Sequence, residues 1–190
     1  MPEYNKSSFL MSDKNLFLRL KKYKDKQAFM AAYDSYVDQI YRFIFFKIGN
    51  QEEAKDLTSQ VFVRCWTYVR DGKLKDSNDY KSLKSFLYKI ARNSVIDYYR
   101  QNKAEASIDD MEDVEDKKQE VASQAEIKID FELIKDKLNK LKSEYRGIIV
   151  MRYINQLSIA EIAEVLNKSK SNVRVTIFRA LEALKEIINK

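Results

Sequence analysis

Three glycines and one proline, Pro2, are all that this chain of 190 residues carries. That scarcity constrains the fold more than any other feature. Tight turns draw on glycine for positive φ and on proline for a fixed φ. An architecture of many short strands needs such a turn every few residues. The expectation is therefore an all-α chain with long helices and few corners. Hydrophobic residues make up 45% of the sequence, enough for real cores, and the 34% that are charged suit the wet outer faces of helices.

The distribution of charge divides the chain. Residues 1–103 hold 20 Lys and Arg against 12 Asp and Glu; residues 104–126 hold 2 against 9; residues 127–190 hold 13 against 8. An acidic stretch that includes Asp109-Asp110-Met111-Glu112-Asp113 thus separates two basic blocks. It has too little apolar surface to order itself and reads as a linker. The expected organisation is a basic N-terminal segment over 1–24, a first helical domain over 25–103, the acidic linker over 104–126, and a second helical domain over 127–190.

Several function classes are excluded or disfavoured. There is no His, the commonest general base and a frequent metal ligand. The paired carboxylates Glu52-Glu53 read as first-turn helix charges and Asp109-Asp110 fall in the linker. An enzyme is not expected, and neither a metal nor a cofactor is. One cysteine, Cys65, allows no internal disulfide and reads as a small core residue. No apolar run approaches the ~20 residues that span a bilayer, so the expectation is a soluble, cytoplasmic protein without membrane insertion. The net charge of +6 points weakly to an anionic partner.

Local signals place the helices. Asp25 can cap a helix whose apolar stripe is Phe29, Tyr33, Tyr36, Ile40 and Phe43, ended by Gly49. Asn50 can cap the next, with Leu57, Val61, Cys65 and Val69 on one face and Gly72 at its end. A polar stretch, Lys73 to Asp79, leads to a helix from about Tyr80 to Lys103 with Leu87, Ile90, Ala91, Val95 and Ile96 as expected core. In the second block Ile127 to Leu141 is amphipathic, and Ser143 offers a cap for a short helix through Ile148, Ile149 and Tyr153.

The strongest local signal follows. Ser158 with Glu161 three residues on forms a capping box. Ala163 supplies the small residue that a helix-turn-helix needs where its helices cross, Asn167 tolerates positive φ in the turn, and Ser169 can cap the second helix. Val173 and Ile177 are expected to face inward. Lys170, Ser171, Asn172, Arg174, Val175, Thr176 and Arg179 are expected on the outer, DNA-reading side. Asn suits adenine and Arg suits guanine in the major groove. The motif alone leaves repressor, activator and polymerase subunit open.

Asp56-Leu57-Thr58-Ser59-Gln60-Val61-Phe62 resembles the Asp-Leu-Thr-Gln-Glu-Val-Phe signature of region 2 of the sigma-70 family. Phe86-Leu87-Tyr88-Lys89-Ile90-Ala91-Arg92-Asn93, followed by Ile96-Asp97-Tyr98-Tyr99-Arg100, resembles the signature that comes after it. Leu138 to Leu184 resembles region 4, and the absence of other sigma regions is similar to the extracytoplasmic-function (ECF) class. The resemblance implies a sigma factor that takes core RNA polymerase to promoters and helps melt them. It implies docking on the β′ clamp helices through Asp56, Gln60 and Arg64, and contact with the β flap. Recognition of the −10 element would fall to Asn78, Tyr80, Lys84, Tyr88, Arg92, Asn93, Asp97 and Arg100, with unpaired bases stacked on aromatics in a basic groove. The −35 element would be read by Lys170, Ser171, Asn172, Arg174, Val175 and Arg179. Promoter DNA and an anti-sigma factor are the further partners implied, and polymerase would carry the protein to the nucleoid. The alternative is a stand-alone helix-turn-helix regulator whose first block serves another purpose.

Overall fold

A computed structural model of the chain describes residues 12–76, 80–105 and 134–189, and these are helical throughout, joined by short corners. The expected linker over 104–126 lies almost wholly outside the described residues, as do Ile127 and Phe131.

Helix α1 (Asp13–Tyr23) starts at Ser12, whose hydroxyl accepts from the Asn15 amide. It buries Leu16, Phe17 and Leu20 against α2 and α5. The segment that its sequence set apart as an N-terminal extension therefore shares the core of the first domain. Helix α2 (Lys26–Ile48) is capped by Asp25, which accepts from the Gln27 and Ala28 amides. Burial raises the Asp25 carboxyl and these amides with Arg19 lower it, and the net effect holds it below the usual value. Tyr36, Ile40 and Phe43 are buried as the stripe predicts, whereas Tyr33 stays largely exposed with its ring edge on Phe62. Gly49 closes α2 at φ 75°, a left-handed conformation that costs glycine little.

Helix α3 (Gln51–Arg70) is capped by Asn50 through the Glu52 and Glu53 amides and buries Leu57, Val61, Cys65 and Val69. Cys65 is enclosed, and burial pushes its thiol up to about 12. After the short α4 (Lys73–Asp76), helix α5 (Leu83–Glu105) runs back across α2 and α3. Leu87, Ile90, Ala91 and Val95 join the core, but Ile96 is 41% exposed.

The second unit begins with a helical piece, α6, over 134–139. Helix α7 (Ser143–Ile149) follows and continues as a π-helical turn, Val150–Ile154. Ser143 does not cap α7. It is the first helical residue, no side chain caps the preceding Lys142, and the Ser143 hydroxyl instead accepts from Lys47 of α2. Helices α8 (Ile159–Leu166) and α9 (Lys170–Ile188) form the helix-turn-helix. The capping box between Ser158 and Glu161 is made in both directions. Asn167 turns at φ 52° and Ser169 caps α9 through the Asn172 amide. Val173 and Ile177 seal α9 onto α7 and α8. No described helix is long and apolar enough to cross a membrane.

Candidate nucleic-acid interface

The outer side of α9 is built by its own start. The Ser169 cap fixes the first turn, and Lys170, Ser171, Asn172 and Arg174 all project from it into solvent. Val175 is 49% exposed and offers an apolar methyl surface of the kind that meets a thymine methyl. Arg179 is exposed further along. Thr176 departs from the expectation. It is only 8% exposed, and its hydroxyl donates to the Asn172 carbonyl at 2.9 Å and sits 3.2 Å from Asn172 Oδ1. Back-bonding of this kind is the usual way for a threonine to satisfy its hydroxyl inside a helix. Asn172 Oδ1 lies beside the same hydroxyl, a neighbour that periodicity alone does not show.

On α3, Asp56 and Gln60 are exposed, four residues apart on one stripe. Arg64 continues that stripe but is engaged: its guanidinium lies 3.2 Å from Ser94 Oγ and 3.5 Å from Asp97 Oδ2 of α5. One residue expected to bind polymerase is thus tied to one expected to bind DNA. Both are half exposed, so the pair contributes at most about 1 kcal/mol and serves mainly to set the register of the two helices.

Along α5 the expected −10 residues separate into three groups. Asn93 and Arg100 are exposed. Tyr80, ahead of the helix, is partly covered, packs edge-on to Phe86 at 4.6 Å, and has Lys89 Nζ 4.9 Å from its ring centre. Tyr88 is a correction: it is 0% exposed, wedged against Phe43, and burial drives its hydroxyl far above the usual range. A ring with no free face cannot stack on a base. Its place on the signature conceals that its helical phase points at α2. Asn78 lies outside the described residues.

Arg92 and Lys84 are drawn toward the second unit. Arg92 lines a cleft of about 310 Å³ together with Phe43, Ile96, Met151 and Lys168. Lys84 Nζ donates to the Asn155 carbonyl at 3.0 Å. Desolvation lowers its pKa against the opposing pull of Glu161 and Asp13.

Both domains match known family models: Sigma-70 region 2 over residues 32–105 and Sigma-70 region 4 over residues 131–184. ECF RNA polymerase sigma factor SigW of Bacillus subtilis is 33% identical over 181 residues, covering 88% of this chain and 94% of that protein. The chain belongs to the sigma-70 family, in its ECF class. SigM of the same organism is 29% identical over 163 residues, 83% of this chain and 93% of that one. Two solved structures share the fold. The sigma factor RpoE in complex with the anti-sigma factor NepR from Bartonella quintana superposes with a TM-score of 0.68 at 20% identity, covering 86% of this chain and 98% of that one. CnrH in complex with the cytosolic domain of CnrY gives 0.67 at 20%, covering 93% and 97%. With regions 2 and 4 in one chain, the alternative of a stand-alone regulator falls away: this is a sigma factor for transcription initiation.

Three residues that matter to the geometry escaped the sequence reading. Asp13 accepts from the Leu83 and Lys84 amides at 3.1 and 2.9 Å and from the Tyr36 hydroxyl at 2.7 Å, and so caps α5 from another helix. Asn155 and Glu164 join the two regions. All three act across long stretches of sequence, and no local pattern marks them.

Proposed function

We propose that the exposed stripe of α3, centred on Asp56 and Gln60, docks on the β′ clamp helices of core polymerase. Region 4 reads the −35 element with Lys170, Ser171, Asn172, Arg174, Val175 and Arg179, and meets the β flap. Region 2 holds the −10 element with Tyr80, Lys84, Arg92, Asn93, Asp97 and Arg100. The observation that carries this reading is the start of α9. Its amides and four polar side chains point outward from a rigid, side-chain-capped turn, the geometry that a major-groove helix needs. Capture of unpaired −10 bases by region 2 favours the melted state, so binding energy shifts the duplex toward opening. An anti-sigma factor is a fitting regulator, since both solved relatives in fold are complexes with a partner chain, one of them named an anti-sigma factor. The work is done in the cytoplasm, at the nucleoid.

The test is transcription in vitro with sigma-free core polymerase on fragmented DNA of the source organism. Transcript starts sharing two motifs at fixed spacing are expected. Asp56→Arg is expected to abolish them through loss of polymerase binding, and Arg174→Glu to abolish them with polymerase binding intact. Absence of starts, with duplex DNA bound by the protein alone, would refute the assignment.

A further inference from the structure

A basic surface lies at the pole of region 2 where α1 and α3 both end. Lys24 turns the corner after α1, and its Nζ donates to the carbonyl of Arg70, the last residue of α3, at 2.8 Å. That bond draws the two helix ends together, and α4 opens beside them with Lys73. Lys22, Lys24, Arg70 and Lys73 are all exposed. Asp71 accepts from Arg70 Nε at 3.1 Å and lies 3.9 Å from Lys73 Nζ. Asp25, at the same corner, is taken up by Arg19 and by the first amides of α2. Asp71 thus offsets one charge among the four, and the pole keeps a positive excess.

Open aromatic rings are interleaved with these cations. Tyr23 is 64% exposed, with Lys22 Nζ 5.3 Å from its ring centre. Tyr68 is 41% exposed, with Lys73 Nζ 5.8 Å from its ring centre. A ring with a cation beside it suits an unpaired nucleotide: the base stacks on the ring and the cation neutralises the adjoining phosphate. A duplex keeps its bases stacked on each other and has no use for the rings. The surface also runs into the −10 site. Tyr68 packs edge-on to Phe86 at 5.7 Å, and Tyr80 packs on the same buried ring at 4.6 Å.

We propose that this pole binds single-stranded DNA and holds the opened strand beyond the −10 element, with Tyr23 and Tyr68 as stacking platforms and Lys22, Lys24, Arg70 and Lys73 on phosphates. The inference rests on the proposed −10 site for which strand is held, but not for the chemistry of the surface. Lys24 keeps two N–H donors after serving the Arg70 carbonyl, since an ammonium carries three. Because the rings engage only unpaired bases, each such contact favours the melted state over the closed one.

Fluorescence anisotropy of labelled oligothymidine, about 20 nucleotides long, titrated with the full-length chain tests the surface by itself. Lys22→Ala with Lys73→Ala is expected to weaken binding about 10-fold and to reduce the slope of log affinity against log salt by about 1.4. Tyr23→Ser should weaken it about 5-fold, and Lys140→Ala, on region 2's neighbour, should not. All these side chains are exposed, so the fold is left intact, and circular dichroism checks that it is. The same variants in holoenzyme on a premelted promoter should shorten the lifetime of the open complex with affinity for core polymerase unchanged. Oligothymidine binding that is absent, or equal in wild type and variants, would overturn the proposal. So would an open-complex lifetime that the variants leave unaltered, and a loss of core affinity would make the pole a polymerase surface instead. Weakened oligothymidine binding while no form supports transcription would leave the single-strand surface standing and remove the promoter reading.

Discussion

Replacing Asp13 by alanine isolates the contribution of α1 to α5, the helix proposed to hold the −10 element. Three hydrogen bonds end on this carboxylate: two from the first amides of α5 and one from the buried Tyr36 hydroxyl. Loss of a capping acceptor costs about 0.5–2 kcal/mol. Stranding a buried hydroxyl costs about 1–3 kcal/mol. Ser82 shares the capping, its hydroxyl accepting from the Ser85 amide at 3.1 Å, so the lower half of each range applies and the sum is about 2–3 kcal/mol. Thermal unfolding followed by circular dichroism should show a midpoint lower by roughly 5–10 °C. A double-mutant cycle with Tyr36→Phe separates the terms. With the hydroxyl already gone, Asp13→Ala should cost about 1 kcal/mol less. A cost under about 0.5 kcal/mol, or a cycle that closes additively, would refute the claim that α1 organises α5 through this carboxylate.

Two further outcomes follow from the titrating groups. With its thiol raised to about 12 inside the core, Cys65 should react with a disulfide reagent about three orders of magnitude more slowly in the native protein than in urea; a rate near that of a free thiol would place it at the surface. The Asp25 carboxyl sits below its unfolded value, so its stabilisation is full above about pH 4 and is lost as pH falls through the lower folded value. Asp25→Asn should therefore lower the urea midpoint at pH 7 and approach wild type once pH falls below the folded value, with an effect of no more than about 1 kcal/mol; equal midpoints at pH 7 would discount the Arg19 contact.

What the sequence made legible was local. Asp25, Asn50, Ser158 and Ser169 cap the helices they precede, and Asn167 turns left-handed between α8 and α9, because a cap and its amide lie within three residues of each other. Apolar spacing located most of the core for the same reason. It misplaced Ile96 and Thr176, and the family signature misplaced Tyr88, because burial depends on which neighbour a helical face meets. Ser143 was misread because its hydroxyl had a tertiary partner, 96 positions away, that competed with the cap. Asp13 and Asn155 reach across 70 and 116 positions, and nothing in their own surroundings announces either pairing. Region 2 and region 4 were thus readable one at a time, and the contact between them was not.

Scarcity of glycine also shapes how this chain will bear mutation. Lys24 turns the corner between α1 and α2 at φ 51°, and its ammonium reaches over to the Arg70 carbonyl at the end of α3. A glycine would make the same turn more easily, but would cut the strap between the two helix ends. Asn155, next to the left-handed Gln156, is likewise both corner and clasp. Where most proteins keep their freedom to vary in the connections, these two corners are stitched into the tertiary structure. Exposed mid-helix positions such as Lys55 or Glu182 should drift freely, while the short corners stay fixed.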